Sequence, residues 1–425
     1  MRVNITAGRK IMGSVSVPGD KSVSHRAVML GAISEGKTIV ENFLNADDCC
    51  ATIQCFRDMG VEIQQKDSGV TIFGRGLHGL KPPKKMLYAG NSGTTTRLLA
   101  GILSGQRFTS SIEGDAAVNS RPMERIIKPL TLMGAKVTAR EGGLCPMHFE
   151  PSKLKGIDYT LPVASAQLKS AVLLAGLYAK GQTTIRESRV SRDHTELMLR
   201  HFGGEISGEG GVTRLTPTTL YGQRVTVPSD ISSAAFFMVA ALISKDGSLV
   251  VKGVGVNPTR TGVIDVLRDM GGHIEFVNFC SGAEPCADIY VKASKLRGIE
   301  IGSEIMPRLI DELPAIAVAA AFAEGRTVIS GAEELRVKEC DRISALCTEL
   351  SKAGADITET PDGMIIQGRG ALRGGAEFDS YGDHRIAMAM SVAAAFSREG
   401  GTINGAQCVS VSFPEFFNAL ESVLL

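Results

Sequence analysis

One phrase recurs along the chain at intervals of about seventy residues, a longer period than small solenoid units use. Its first half is a β-branched strand, a polar turn, an Ala-rich helix, a glycine-containing turn and another strand. The clearest copies read VSVPGDKSVSHRAVMLGAISEGKTIV, LYAGNSGTTTRLLAGILSGQRFTSSI and DYTLPVASAQLKSAVLLAGLYAKGQTTI. Three more follow as VTVPSDISSAAFFMVAALISKDGSLVV, MPRLIDELPAIAVAAAFAEGRTVI and FDSYGDHRIAMAMSVAAAFSREGGTI. The second half is an amphipathic helix, a small-residue stop and a strand, as in CFRDMGVEI, PLTLMGAKV, LRHFGGEI, VLRDMGGHI and ELSKAGADI. Gly60, Gly134, Gly203, Gly271 and Gly354 fall where a helix C-cap needs a left-handed residue.

A chain of 425 residues exceeds the roughly 250–300 at which one hydrophobic core stops growing, so two domains are expected. Helices such as AIAVAAAFAEG are apolar almost all round, so they belong buried between sheets. The repeats therefore predict two α/β domains of three units each. The best internal alignment sets Val17, Pro18, Asp20 and Ser22 against Val227, Pro228, Asp230 and Ser232, which reads as a half-molecule duplication with the domain switch near both VP segments. The expected division is residues 1–17 with 229–425 as one discontinuous domain, and 18–228 inserted as the other.

The formal charge of +1 supplies no general field for nucleic acid, and no run of lysines and arginines occurs. The opening stretch lacks a signal-peptide core, and nowhere do about 18 uncharged apolar residues run together. A soluble, cytoplasmic chain is expected. Nine cysteines without CxxC pairs or metal-finger spacing read as reduced thiols in or near the core, and no metal is expected. Cys280 and Cys286 bracket a loop, which leaves a redox or metal role as the other reading.

Any anion site must then be local, and helix entrances are where unpaired backbone N–H groups and the helix dipole favour one. The repeat acts as its own control. Copy one has Lys21, Ser22 and Arg26 where copy four has Ile231, Ser232 and Phe236, so the scaffold tolerates apolar residues and the cations point to function. Copy two offers NSGTTTR, where Gly93 admits close backbone approach; it reads either as a Ser/Thr-rich cap or as a ligand loop. Arg121 precedes Pro122 at an expected helix start and suits an anion or a surface salt bridge. Copy three brings Ser165, Ala166 and Gln167, copy five Asp311, and copy six Arg385. Lys338, Glu339 and Arg342 fall together, with Lys338 and Arg342 expected one helical turn apart on one face, as part of a site or as a solvated helix start. With Arg97, these cations would line a positive cleft between the domains, suited to two small multiply anionic ligands.

The strings PGDKSVSHRA, GNSGTTTRLLAG, NSRPMERI, SAQLKSAVLLAG, DELPAIAVAAA, RVKECDRI and YGDHRIAMA span nearly the whole chain and resemble motifs of the EPSP synthase family of enolpyruvyl transferases. The resemblance implies two domains, each of three βαβαββ units, linked by two crossovers. It implies that Lys21, Ser22, Arg26, Ser165, Ala166, Gln167, Ser191, Asp311 and Lys338 hold shikimate 3-phosphate. Phosphoenolpyruvate would meet Lys21, Gly93, Arg121, Gln167, Arg342 and Arg385. The implied reaction is addition and elimination without cofactor or metal, with Asp311 as base, Glu339 as proton donor and Lys21 as a rival proton carrier. Small-molecule substrates, a monomer, and neither nucleic acid nor membrane are the implied partners.

Three positions depart from the family pattern: Val411 stands where a lysine is common, Glu334 where asparagine is, and Leu98 where proline is. The sister family acting on UDP-N-acetylglucosamine carries a KNA-type turn and a loop cysteine. Here the turn is Lys21, Ser22 and Val23, and Cys145 is a poor match for that cysteine. A non-catalytic anion-binding protein on the same fold is the other alternative.

Overall fold

The computed structural model describes residues 1–8, 10–66 and 69–425. The chain divides into two compact units. One, the inserted unit, comprises Gly19–Val227 with Gly282–Glu284; the other, the terminal unit, comprises Met1–Pro18, Pro228–Ser281 and Pro285–Leu425.

Each repeat becomes a small sheet with a buried helix and an amphipathic one. In the inserted unit the strand orders are Arg224–Thr226, Glu35–Glu41, Gly69–Arg75, Glu62–Lys66; Leu87–Tyr88, Ser110–Glu113, Leu144–Glu150, Lys136–Arg140; and Asp158–Thr160, Thr183–Arg186, Val212–Thr216, Glu205–Glu209. In all three the first two strands are parallel and the remaining neighbours antiparallel. A parallel pair needs a crossover, and the buried helix supplies it in the second and third sheets. In the first sheet the opening strand comes from the far end of the unit.

The terminal unit repeats the scheme with strands borrowed from the start of the chain. Met12–Ser16 lies parallel to Ser248–Gly255 and opens one sheet. Arg2–Ile5 lies antiparallel to Gly401–Asn404 and completes a sheet of three strands, not four. The strand and helix that read as one continuous phrase around Val17 and Val227 are therefore split: the strand Met12–Ser16 belongs to the terminal unit, and the helix Lys21–Ile33 to the inserted one.

The Ala-rich helices are buried on all sides, because residues such as Ala317, Ala320, Ala387 and Ala394 leave no face that prefers water. In the terminal unit Ile231–Ile243, Leu313–Phe322 and His384–Phe396 pack against one another in a single core. In the inserted unit Gly93–Ser104 packs on both Lys21–Ile33 and Ala166–Gly176. The last contact needs a glycine: a Cβ on Gly101 would stand 2.2 Å from the carbonyl oxygen of Ala171. The amphipathic helices end as the sequence suggests, with φ of +83° at Gly60 and +97° at Gly134.

Cys280 and Cys286 form a disulfide across a hairpin, which corrects the reading of nine reduced thiols; the other seven are free. The two residues face each other in the antiparallel register of His273–Cys280 with Cys286–Lys292. Among the described residues no helix is long and apolar enough to cross a membrane, and no His, Cys, Asp and Glu cluster suits a metal.

Candidate active site

In the inserted unit the helix Lys21–Ile33 begins where Asp20 accepts a hydrogen bond from the Val23 amide at 2.9 Å. This puts Lys21 and Ser22, both partly exposed, at the mouth of the helix, with Arg26 one turn inside. Lys21 forms an ion pair with Asp48, which opens the next helix. Burial alone would raise the Asp48 carboxyl, but Lys21, His25 and Arg121 hold it below its ordinary value.

Arg26 is buried and held by neutral oxygens. It donates to the Thr195 hydroxyl at 2.7 Å, the Ser170 hydroxyl at 2.9 Å and the Ser22 carbonyl at 2.9 Å. Burial pushes its pKa down to about 10, against the pull of Glu196, Asp20 and Glu284, so it remains a cation at neutral pH. A cation bonded only to neutral groups keeps its charge available for an anion.

A buried chain of hydroxyls ties this entrance to the next. His25 Nδ1 meets Thr52 Oγ1, Thr52 meets Thr95 Oγ1, and Thr95 donates to Ser92 Oγ, each at 2.7 Å. Ser92 in turn caps the helix Gly93–Ser104 by accepting from the Thr95 amide. Gly93 is buried beneath two guanidiniums: a Cβ there would lie 3.1 Å from Arg97 Nη1 and 3.4 Å from Arg121 Nη1. Arg97 donates to Gln167 Oε1 at 2.7 Å, and Gln167 Nε2 donates to Thr94 Oγ1 at 3.0 Å. Among the described residues the Arg121 side chain has no hydrogen bond or ion pair. It lies ahead of the helix Glu124–Leu132, after a short turn of helix at Ala116–Asn119.

The third entrance is the helix Ala166–Gly176, capped by Ser165 with Ala166 and Gln167 in its first turn. One turn further in, Lys169 is fully buried and paired with Glu187 at 2.8 Å and Glu196 at 2.7 Å. Burial disfavours its charge, but the two carboxylates more than offset that and raise its pKa. Lys169 also donates to the Ser191 carbonyl at 3.3 Å, while Ser191 donates its hydroxyl to Glu187 and its amide to the same oxygen at 3.2 Å. The expected ligand residues of this unit, Lys21, Ser22, Arg26, Gly93, Arg121, Ser165, Ala166, Gln167 and Ser191, thus gather around three helix entrances, with Arg121 near Gly93 but outside the hydrogen-bond network.

The terminal unit gathers the remaining ones. Asp311 lies 3.9 Å from Lys338, Arg342 and Arg260 alike, and its carbonyl accepts from Arg385 Nη1 at 2.9 Å. Arg342 is buried and donates to Asp383 at 2.7 Å and Glu339 at 2.5 Å. Burial works against its charge, but Asp383 and Glu339 raise its pKa. Lys338 donates to Glu334 at 3.1 Å. Lys338 and Arg342 are not one helical turn apart as expected: Asp341 caps the Ser344 amide and starts the helix at Arg342, leaving Lys338 in the preceding turn. Lys338 and Arg342 are balanced by carboxylates, whereas among the described residues Arg26 and Arg121 of the inserted unit have no carboxylate partner by hydrogen bond.

Sequence reasoning missed Asp48, Lys169, Arg260 and Asp383. For Arg260 a signal existed: VNPTR repeats, in copy four, the VNSR that carries Arg121 in copy two. Lys169 and Asp383 left no such mark, because their partners are 18 to 41 residues away.

A comparison with protein families matches residues 5–420 to EPSP synthase (3-phosphoshikimate 1-carboxyvinyltransferase). The 3-phosphoshikimate 1-carboxyvinyltransferase of Alkaliphilus metalliredigens is 54% identical over 417 residues, covering 98% of each chain. That of Citrifermentans bemidjiense is 51% identical over 423 residues, covering 99% of this chain and 98% of its own. Among solved structures, EPSP synthase from Acinetobacter baumannii superposes with a TM-score of 0.92 at 49% identity, covering 99% of this chain and 98% of its own. The enolpyruvyl transferase NikO from Streptomyces tendae, at 17% identity and a TM-score of 0.81 over 99% of this chain and 96% of its own, shares the fold. The chain belongs to the EPSP synthase (3-phosphoshikimate 1-carboxyvinyltransferase) family.

Proposed function

We propose that this chain is an enzyme that transfers the enolpyruvyl group of phosphoenolpyruvate to the 5-hydroxyl of shikimate 3-phosphate, releasing phosphate, as a step in the biosynthesis of chorismate and the aromatic amino acids. The observation that carries this reading is Gly93, bare of a side chain beneath the guanidiniums of Arg97 and the unpartnered Arg121. A small anion fits there against backbone and two cations. Phosphoenolpyruvate meets Lys21, Gly93, Arg121, Gln167, Arg342 and Arg385. Shikimate 3-phosphate meets Lys21, Ser22, Arg26, Ser165, Ala166, Gln167, Ser191, Asp311 and Lys338.

In the addition, the 5-hydroxyl oxygen bonds to C2 while the C2–C3 double bond opens and C3 takes a proton. In the elimination, a proton leaves C3, the double bond re-forms and the C2–O bond to phosphate breaks. Asp311, ion-paired with three cations, is a carboxylate able to take the hydroxyl proton. Glu339, side chain 35% exposed and paired with Arg342, must first gain a proton to donate one, and Lys21 is the competing carrier. Guanidiniums and ammoniums offset the negative charge of the tetrahedral intermediate. Glu339→Gln should lose turnover while binding both ligands; unchanged turnover assigns the proton to Lys21.

The UDP-N-acetylglucosamine reading needs a reactive loop cysteine. Burial raises the thiol of Cys145 and holds that of Cys340 up at about 12, and all seven free thiols are raised. We read the chain as a cytoplasmic monomer that acts on small-molecule substrates. The test is phosphate release from phosphoenolpyruvate with either acceptor, in the presence of a chelator. Release with shikimate 3-phosphate alone is expected; release only with the nucleotide sugar, or with neither, overturns the reading.

A further inference from the structure

The segment Ser191–Thr195 is held from three sides. Ser191 is fixed by Glu187 and Lys169, and the Thr195 hydroxyl is shared between Arg26 at 2.7 Å and Ser170 at 2.6 Å. Between them, His194 is 3% exposed and pairs through Nδ1 with Glu284 Oε1 at 2.8 Å. Glu284 comes from a segment ninety positions later in the chain. It belongs, with Gly282 and Ala283, to the inserted unit, although both flanking stretches belong to the terminal one. Ala283 is buried in the core of the inserted unit, and the disulfide of Cys280 and Cys286 closes the hairpin just outside this short segment.

Burying a carboxylate is expensive unless it is paired, and the Glu284 side chain is only 1% exposed. No repeat needs it: the three sheets of the inserted unit are complete without residues 282–284. It contacts the buried imidazole of His194, which lies between Ser191 and the Thr195 hydroxyl that holds Arg26. Its charge also reaches Arg26, where it works against the loss of charge that burial imposes.

Resting on the reading of shikimate 3-phosphate as acceptor, we infer that Glu284 is a positioning residue for that substrate. Through His194 it fixes Ser191 and the Thr195 hydroxyl that steers Arg26. It touches no reacting atom, so its loss weakens binding of the acceptor and spares the chemical step.

The test is steady-state kinetics with both substrates varied. Glu284→Ala is expected to raise KM for shikimate 3-phosphate about tenfold, leaving kcat and KM for phosphoenolpyruvate within about twofold of wild type. Glu284→Gln, which keeps an oxygen to accept from His194, is expected between the two and serves alone if the alanine variant does not fold. In a His194→Gln background, Glu284→Ala is expected to add less than about twofold. An unchanged KM for shikimate 3-phosphate in both Glu284 variants would overturn the inference. So would a fall in kcat with both KM values intact, the mark of a smaller folded fraction. A wild-type protein that releases no phosphate with shikimate 3-phosphate overturns the functional reading instead, and the two failures are thereby distinct.

Discussion

At Gly93 one hydrogen atom decides how near an anion can come. The residue starts a helix with a φ that any L-residue adopts, so Gly93→Ala leaves the backbone unstrained. Its methyl would nevertheless stand 3.1 Å from Arg97 and 3.4 Å from Arg121, in the space assigned to phosphoenolpyruvate. We expect KM for phosphoenolpyruvate to rise roughly tenfold with no loss of thermal stability and little change in KM for shikimate 3-phosphate. A matching loss of stability in a melting curve would contradict that account. His25 makes a second residue-scale prediction. Burial pushes its pKa from 6.5 down to about 3, with Lys21 and Arg26 adding to the push and Asp48 and Asp20 opposing it. The unfolded chain thus binds a proton that the fold refuses. The stabilising contribution is whole above pH 6.5 and drains away as the pH falls toward 3, at up to about 1.4 kcal/mol per pH unit. Denaturant unfolding between pH 7 and pH 4 should show that slope reduced by about that amount in His25→Gln.

The helices Gly93–Ser104 and Ala166–Gly176 set the distance between two of the entrances, and Gly101 lets them meet. Gly101→Ala must move one helix, because the clash at 2.2 Å is with the backbone of Ala171 and not with a flexible side chain. A loss of about 1–3 kcal/mol is expected by urea unfolding, together with weaker acceptor binding as Arg97 and Gln167 draw apart. Unaltered stability would mean that the helices slide at no cost. The entrances themselves were legible in the sequence, because the repeat carries its own controls: where Arg26 reaches Thr195 and Ser170, its counterpart Phe236 is simply buried. The glycine stops were legible too, since their φ values leave little choice. What stayed hidden is pairing across the chain. Nothing in DDCC announces that Asp48 meets Lys21, and nothing in LKSA that Lys169 is buried between two glutamates. The switch between units at the VP segments was legible from the half-molecule alignment, but the sheet that receives the strand Met12–Ser16 was not, because local pattern specifies an element and not its partner.

The two units differ in what they borrow, and that difference has a measurable consequence. Every strand of the three inserted-unit sheets lies between Glu35 and Thr226, so the Gly19–Val227 stretch carries its whole backbone hydrogen-bonding complement. The terminal unit does not: without Met1–Pro18, the strand Ser248–Gly255 loses Met12–Ser16, and Gly401–Asn404 loses Arg2–Ile5. Each loss exposes an unpaired edge, and the deletion also takes Ile11, Val15 and Val17 out of the core of the terminal unit. Residues 19–227 produced alone should therefore unfold cooperatively in urea, although they lack the Glu284 contact at His194 and the buried Ala283. Residues 228–425 alone should be aggregation-prone and bind a dye that reports exposed apolar surface. Adding a peptide of residues 1–18 should restore a cooperative transition to that second fragment, because it returns both missing strands at once. If the second fragment folds as well without the peptide as with it, the borrowed strands are ornament to the terminal core and the topological account of its stability is wrong.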